Sequence, residues 1–257
     1  MKRLLLCLLL VLFANPAFAA EKLIIGVTPF PHKDIMEVAK PIFEAQGYTL
    51  EIKEFTDYVQ PNIALANKLI GANFFQHKPY LDNMNKEKDL KLVSVASVHI
   101  EPLGVYSKKI KKLCDLKKGD RVSVPNDPTN EARALRLLEF QGIIKIGDGS
   151  LVTVADIKEN PLQLKFFELE AAQLPRALDD VTIAVINTNF AGEAGLVPAR
   201  DALAIENKDS PYANIIVVRE EDRNTPMTKA LIKAVQSPEV RAFIEQDLTS
   251  RGIVPAF

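Results

Sequence analysis

An asparagine and an arginine stand three residues apart where a helix is predicted to begin. A strand candidate ends at Pro125, and Asn130 and Arg133 follow in what should be the opening helical turn. At this spacing the two side chains share one face of the helix. A guanidinium fork beside the unpaired amides of a helix N-terminus suits a small carboxylate or phosphate. The alternative is that Asn130 is an N-cap and Arg133 a surface side chain.

A second cluster, from Asn73 to Tyr80, combines aromatic rings with a histidine at another predicted junction between a strand and a helix. One of Phe74 and Phe75 should belong to the core. The other ring, with His77 and Tyr58, could line an apolar, polarisable pocket that suits a thioether or an aliphatic chain. The alternative is that His77 is a hydrogen-bonded structural histidine.

Two further asparagines, Asn187 and Asn214, lie near the ends of extended runs. A neutral amide both donates and accepts hydrogen bonds, so these residues would suit the ammonium and carboxylate of a zwitterion. Each of them could equally be a turn or cap residue.

Sequence signatures of metal binding and of nucleophilic catalysis are absent. His32, His77 and His99 are the only histidines and are widely spaced, without an H-E-x-x-H pattern or paired cysteines, so we predict no metal site. There is no Gly-x-Ser-x-Gly elbow and no phosphate-binding Gly-x-x-x-x-Gly-Lys-Ser/Thr loop. We expect Cys114 to fill an apolar gap. The sequence therefore predicts no cofactor and no enzymatic activity.

The composition is that of an ordinary globular protein. Hydrophobic residues make up 47% of the 257 residues and charged residues 25%. The 32 lysines and arginines are balanced by 33 aspartates and glutamates, which leaves a formal charge of −1. Because there is no overall basic field, we expect no nucleic-acid partner.

The first nineteen residues have the pattern of a secretory signal peptide. Lys2 and Arg3 precede an apolar run, and an A-x-A site ends at Ala19. We therefore expect cleavage near Ala19 and a periplasmic mature protein. Cys7 comes too early in the apolar run for a lipidation site, so we expect no lipid anchor.

Short β-branched runs alternate with helical patterns, which predicts an α/β protein with parallel sheets. The predicted strands are 23–27, 50–55, 92–98, 121–125, 164–169, 182–186 and 212–219. The predicted helices are 35–43, one starting near 61, 130–140, 171–178 and 227–248. The basic segment 108–112 is expected to be the solvated face of a short amphipathic helix with Leu113 and Leu116 on its buried side. Long extended runs at 92–106 and 212–219 suggest two crossings between two lobes. The predicted division is 20–104 with 217–257 for one lobe, and 105–216 for the other.

Five motifs, in this order and spacing, resemble the NlpA/MetQ family of methionine-binding proteins. They are Asp57-Tyr58-Val59-Gln60-Pro61-Asn62, Asn73-Phe74-Phe75-Gln76-His77, Val124-Pro125-Asn126-Asp127-Pro128-Thr129-Asn130, Leu169-Glu170-Ala171-Ala172-Gln173-Leu174-Pro175-Arg176 and Ser210-Pro211-Tyr212-Ala213-Asn214. The resemblance covers essentially the whole mature chain. It implies a two-lobed periplasmic-binding-protein fold that captures methionine between the lobes and delivers it to an ABC importer.

The resemblance also implies roles for single residues. Arg133 would bind the ligand carboxylate with help from Asn130, while Asn187 and Asn214 would hold the polar end. The side-chain pocket would consist of Tyr58, Phe75 and His77. The partners would be L-methionine and a membrane permease with its ATPase, and we expect a monomer. The alternatives are a binder of D-methionine or of a methionyl dipeptide, an exported hydrolase, and a surface protein that has lost the pocket.

Overall fold

The structure is a computed structural model that describes residues 20–207 and 211–257. The predicted signal peptide, 1–19, and Ser210 of the fifth motif lie outside the described residues. Within the described ranges, no helix combines the length and the apolar character needed to span a membrane.

The elements alternate along the chain as the sequence predicts. The strands are β1 (Glu21–Val27), β2 (Tyr48–Glu54), β3 (Ala72–His77), β4 (Leu92–Ile100), β5 (Gly104–Tyr106), β6 (Arg121–Pro125), β7 (Lys145–Ile146), β8 (Ile157–Glu159), β9 (Lys165–Leu169), β10 (Ile183–Ile186), β11 (Ala202–Ile205), β12 (Ala213–Arg219) and β13 (Val254–Pro255). The helices are α1 (Asp34–Glu44), α2 (Gln60–Ala66), α3 (Lys78–Lys88), α4 (Pro128–Phe140), α5 (Leu174–Ala177), α6 (Thr188–Glu193), α7 (Pro198–Asp201), α8 (Pro226–Val235) and α9 (Pro238–Phe243).

The first sheet has six strands in the order β13-β4-β12-β3-β1-β2. Successive side chains of a strand point to opposite faces, and β12 shows this clearly. Ile216 and Val218 pack into the cluster that includes residues of α1 and α8, whereas Ile215 and Val217 pack with residues of α2 and α3. Both faces of this sheet are therefore covered by helices, which explains the nearly continuous apolar run of β12.

The second sheet has five strands in the order β11-β5-β10-β6-β9. Its core includes Val122 and Val124 of β6 together with Leu135 and Leu138 of α4. The chain passes between the two sheets twice, because β4 is followed after three residues by β5, and β12 returns after β11. The α/β class is confirmed.

The sheets, expected to be parallel, are mixed in the structure. Strand β1 pairs in parallel with β2 and β3, and β6 with β9 and β10. However, β12 runs antiparallel to β3 and β4, and β5 runs antiparallel to β10 and β11. Strands β5 and β12 enter their sheets from the crossings instead of from a crossover helix, so nothing forces them to run parallel to their neighbours.

Two local predictions in the basic segment are also wrong. The segment 108–112 is not helical, and only a single 3-10 turn, Leu113–Asp115, follows it. Leu116 is buried, but Cys114 is exposed and does not fill an apolar gap. A short run of lysines beside two leucines has too few apolar positions to form a helix with a buried face.

Candidate ligand-binding site

A cavity between the two sheets is lined by residues from both of them and from the loops that follow their strands, and its empty space, including solvent at the opening, is about 360 Å³. Its lining combines polar side chains with aromatic rings. The lining residues are His32, Tyr58, Phe75, Gln76, His77, Tyr80, Glu101, Asn130, Arg133, Asn187, Thr188, Asn189 and Asn214. The structure therefore brings together all seven residues singled out from the sequence.

These residues meet because strand ends converge on the cavity. His77 ends β3, α4 begins soon after β6, and Asn187 follows β10. Because β12 runs antiparallel, its start lies beside the ends of its neighbours, and Asn214 pairs with His77 on one side and with His99 on the other. Ligands in open α/β folds bind beyond the carboxyl ends of strands, which is where this cavity lies.

The start of α4 is fixed by Asp127, which is its N-cap. The Asp127 carboxylate accepts hydrogen bonds from the backbone amide of Asn130 at 2.9 Å and from the Asn130 side-chain amide at 2.9 and 3.0 Å. The side-chain oxygen of Asn130, Oδ1, is thereby oriented to accept from His77 Nε2 at 3.2 Å and from Asn187 Nδ2 at 3.0 Å. One amide thus links β3 of the first sheet to the loop after β10 of the second.

Arg133 lies one turn further along α4 and is only 4% exposed, so the alternative of a surface arginine is wrong. Its Nε donates to both carboxylate oxygens of Glu206, at 2.9 and 3.0 Å, and its Nη2 also bonds Glu206. Nη2 further donates to the backbone oxygen of Glu101 at 2.7 Å. The guanidinium lies over the Tyr212 ring at 4.3 Å. Within 20–207 and 211–257, Nη1 has no protein hydrogen bond, which leaves it available to an anion.

His77 is a neutral donor at the edge of the cavity. Its Nδ1 accepts from the Tyr80 amide at 3.2 Å, so the ring proton is on Nε2 and points to Asn130. Burial lowers the pKa of His77 to about 3, and the nearby Arg133 charge contributes to the lowering. His77 therefore has the structural role named as the alternative, because it caps α3, and it also lines the cavity.

The aromatic side of the cavity is built around Tyr58. Its ring centroid lies 5.9 Å from that of Phe75, 6.0 Å from Tyr80 and 5.0 Å from Phe190. The Tyr58 hydroxyl donates to Asn189 Oδ1 at 2.6 Å, and the Tyr80 hydroxyl donates to the Tyr58 carbonyl at 2.8 Å. Burial raises the pKa of Tyr58, which stays protonated. The rings of Tyr58, Phe75 and Tyr80 line the cavity, Phe190 packs against Tyr58, and both tyrosine hydroxyls are already bonded within the protein.

Two buried amide atoms at the cavity have no hydrogen-bond partner in the part of the chain that the structure describes. They are Asn187 Oδ1, an acceptor, and Asn189 Nδ2, a donor. Buried polar atoms are nearly always paired, so each unpaired atom requires an explanation. Because both residues line the cavity, a zwitterionic ligand would supply the missing partners.

Sequence reasoning missed several lining residues, including His32, Glu101 and Asn189. His32 follows β1, Glu101 follows β4, and Asn189 stands two positions after Asn187. The signal that could have found them is their position just beyond strand ends. Glu206, the partner of Arg133, also follows a strand, β11, but that strand has only four residues and was not predicted, and Glu206 lies 73 residues from Arg133 in the sequence.

The reason given against a metal site, the wide spacing of the histidines, does not hold in three dimensions. The rings of His32 and His99 lie 5.0 Å apart, and with Glu101 they offer ligand atoms all within 4.8 Å of one another. His77 is not part of this cluster. Separation along the sequence does not limit proximity when residues lie at the ends of neighbouring strands.

Glu131, the neighbour of Asn130 on α4, lies beside the Glu168 side chain. Its side chain is buried and accepts from the Val154 amide at 2.8 Å. Burial raises the pKa of Glu131 to about 7, and the adjacent Glu168 carboxylate adds to the rise. Protonation of Glu131 removes its repulsion with Glu168 in the folded protein.

We expect Glu131→Gln to change how stability depends on pH. The folded protein binds this proton more tightly than the unfolded chain, so the wild-type free energy of unfolding should fall as pH rises from about 4.5 to about 7. A glutamine side chain does not ionise, so the free energy of unfolding of the variant should not fall over this pH range. At pH 8 we expect the variant to be about 1 kcal/mol more stable than the wild type. The difference is small because Glu168 is exposed and solvent screens its charge. Urea unfolding at pH 5 and pH 8 measures the difference. Equal stability changes at both values would contradict the prediction.

The comparisons with known proteins agree on one family. The model of the NlpA lipoprotein family matches residues 23–257. The D-methionine-binding lipoprotein MetQ of Escherichia coli K12 is 48% identical over 221 residues, which cover 84% of this chain and 82% of the relative. Outer membrane lipoprotein 3 of Mannheimia haemolytica is 50% identical over 224 residues, which cover 86% and 85% of the two chains.

A solved structure extends this likeness to three dimensions. A nutrient-binding protein of Burkholderia cenocepacia, bound to methionine, superposes with a TM-score of 0.89 at 48% identity, covering 91% of this chain and 100% of that one. The lipoprotein names of the family and of these relatives contradict our expectation that this chain carries no lipid anchor, and we withdraw it. By sequence and by fold, the chain belongs to the NlpA lipoprotein family.

Proposed function

We propose that this protein is an exported substrate-binding protein that captures methionine in the cavity between its two sheets and delivers it to an ABC importer. The observation that carries the proposal is the division of the cavity lining. The lining contains two kinds of side chain: Arg133 with a group of buried amides, and the neighbouring aromatic rings of Tyr58 and Phe75. Methionine has the matching division, with a charged head and a polarisable thioether tail.

In this proposal each residue binds a defined part of the ligand. Arg133 holds the carboxylate through Nη1, with Asn130 assisting. Asn187 and Asn214 hold the polar end, and the unpaired Asn187 Oδ1 supports this role. Tyr58, Phe75 and His77 surround the side chain. No residue is assigned a catalytic role, so the ligand leaves unchanged.

We also propose the two-lobed arrangement, with lobes of 20–104 plus 217–257 and of 105–216. Strand β12 begins at Ala213 within the first sheet, which favours a second crossing a few residues earlier than 217. Opening and closing about the two crossings would admit and release the ligand. The transport partners are a membrane permease and its ATPase, and we propose that the protein acts as a monomer.

Native mass spectrometry of the protein as isolated, followed by calorimetry, tests the function. We expect a bound mass equal to that of methionine, and after ligand removal a dissociation constant in the submicromolar range, since about nine heavy atoms in an enclosed site permit this affinity. Titration with L-methionine, D-methionine and a methionyl dipeptide separates the alternatives, which matters because the Escherichia coli relative is named for D-methionine. No heat of binding with any of the three would refute the proposal.

A further inference from the structure

One glycine of helix α6 has no conformational reason to be a glycine. Gly192 lies within the helix Thr188–Glu193, and its backbone is not in the left-handed region, whereas Gly195, just after the helix, has a φ of +78°. Glycine is a much poorer helix former than alanine. The lack of a side chain does, however, allow another group to approach the backbone closely.

The group that approaches Gly192 is the ring of Phe30, three residues after β1. A methyl carbon placed on Gly192 would lie 2.5 Å from Cδ1 of this ring and closer still to Cε1. Carbon atoms pack at about 3.5 to 4.0 Å from one another. An alanine at position 192 therefore fits only if the ring or the helix moves.

The Phe30 ring is held in place from its own side. It packs against the core cluster of the first sheet, and the Arg251 guanidinium lies over it at 4.9 Å. The Glu193 side chain lies beside the Phe30 backbone amide. Because turning the ring aside would break these contacts in a densely packed region, the displacement would fall on α6.

The contact between Phe30 and Gly192 joins the two sides of the ligand cavity. Phe30 follows β1 of the first sheet, and α6 follows β10 of the second. Asn189 shares a face of α6 with Gly192, lines the cavity, and accepts a hydrogen bond from the Tyr58 hydroxyl at 2.6 Å. Phe30 and Gly192 themselves lie outside the cavity lining. A displacement of α6 would therefore move a cavity residue although neither Phe30 nor Gly192 touches the ligand.

We propose that Phe30 and Gly192 form an interlobe latch, which sets ligand affinity by fixing how closely α6 approaches the first sheet. The inference rests on the proposed function and on the two-lobed arrangement. Both are positioning residues. Because they meet only when the lobes are closed, their contact stabilises the closed, ligand-bound form over the open one.

A double-mutant cycle, with methionine binding measured by calorimetry, tests the latch. Gly192→Ala should weaken methionine binding roughly 5- to 150-fold, which corresponds to about 1 to 3 kcal/mol, the usual cost of overpacking. In a Phe30→Ala background the same substitution should change the affinity by less than about 2-fold, because the added methyl group then occupies space left by the ring.

Gly147→Ala is the matched control. A methyl carbon at this position would lie 3.4 Å from its nearest neighbour, Lys158 Cε, which is the end of a flexible side chain. Gly147→Ala should therefore bind methionine as the wild type does.

The ligand-free protein provides a second readout that distinguishes a latch from a contact needed for folding. A contact that forms only on closure does not affect the open form, and alanine is the better helix former. Ligand-free Gly192→Ala should therefore melt no lower than the wild type. In stopped-flow measurements its loss of affinity should come mainly from faster dissociation of methionine.

Several outcomes would overturn the latch. Unchanged methionine affinity in Gly192→Ala would do so, and so would an equal loss in both backgrounds, which would place the clash away from Phe30. A lower melting temperature of ligand-free Gly192→Ala, or its failure to fold, would show that the contact belongs to the ligand-free structure as well. Each of these results leaves methionine binding by the wild type intact, whereas a wild type that binds no methionine would refute the proposed function itself.

Discussion

Replacing Arg133 by alanine should lower the affinity for methionine by roughly 30-fold to several-thousand-fold. A buried charge pair that loses one partner costs about 2 to 5 kcal/mol, because the remaining carboxylate stays desolvated without a counter-charge. Arg133 suits this role because it is buried at 4% exposure and its Nη1 is free of protein hydrogen bonds within the described chain. Titration calorimetry with methionine measures the loss.

A matched control lies on the same helix. Arg136, three residues further along α4, is exposed, and its side chain bonds Glu139 and the backbone of Gly149. Arg136→Ala should leave methionine affinity unchanged. Methioninamide, which has no carboxylate, should bind the wild type weakly. Its affinity should fall little further in Arg133→Ala. Methionine affinity that survives in Arg133→Ala would eliminate the assignment of Arg133.

The ligand-free protein needs a separate measurement, because Arg133 also pairs with Glu206. Glu206 has a side-chain exposure of 17%, so it remains partly hydrated when the arginine is removed. We expect a lower melting temperature for ligand-free Arg133→Ala, and circular dichroism should show that the variant is folded at the temperature of the titration. The loss of affinity measured by calorimetry then reflects ligand binding and not unfolding of the variant.

The local pattern of the sequence predicted most of the framework. The β-branched run Arg121–Pro125 is a strand with the predicted bounds, and the helix expected at 130–140 begins two residues earlier, at Pro128, because Asp127 caps it. These elements form where hydrophobic periodicity and cap residues agree. The short strands β5, β7, β8 and β11 have two to four residues each and are too brief for a periodic signal.

The candidate site was predictable only in part. Arg133 and His77 carry chemistry recognisable from residue type and position, and the structure brings them to one cavity. The pairing of Arg133 with Glu206 and the clustering of His32 with His99 depend on long-range topology. No short window of sequence contains that information, because antiparallel pairing of β12 and the crossing after β4 decide which strand ends meet.

Phe74→Ala should be among the most destabilising single substitutions in this protein, with a loss of about 3 to 5 kcal/mol in the free energy of unfolding. Phe74 lies in β3 at 0% exposure, within the large core cluster of the first sheet. Its ring meets His32 edge to face at 4.6 Å and His99 at 5.3 Å. Truncation would open a cavity under both histidines, so we expect the melting temperature to fall by roughly 6 to 20 °C. Differential scanning calorimetry of the ligand-free protein measures this shift.

Phe140 provides the control of the same residue type, because it ends α4 with 83% of its surface exposed. Phe140→Ala deletes the same atoms from a solvent-exposed position instead of from the core. The free energy of unfolding of this variant should therefore stay within about 0.5 kcal/mol of the wild-type value. Phe74→Leu keeps most of the buried volume and should fall between the two. If Phe74→Ala had the same melting temperature as Phe140→Ala, the Phe74 ring would not be part of a tightly packed core. The packing that fixes His32 and His99 beside Glu101 would then have to come from other side chains.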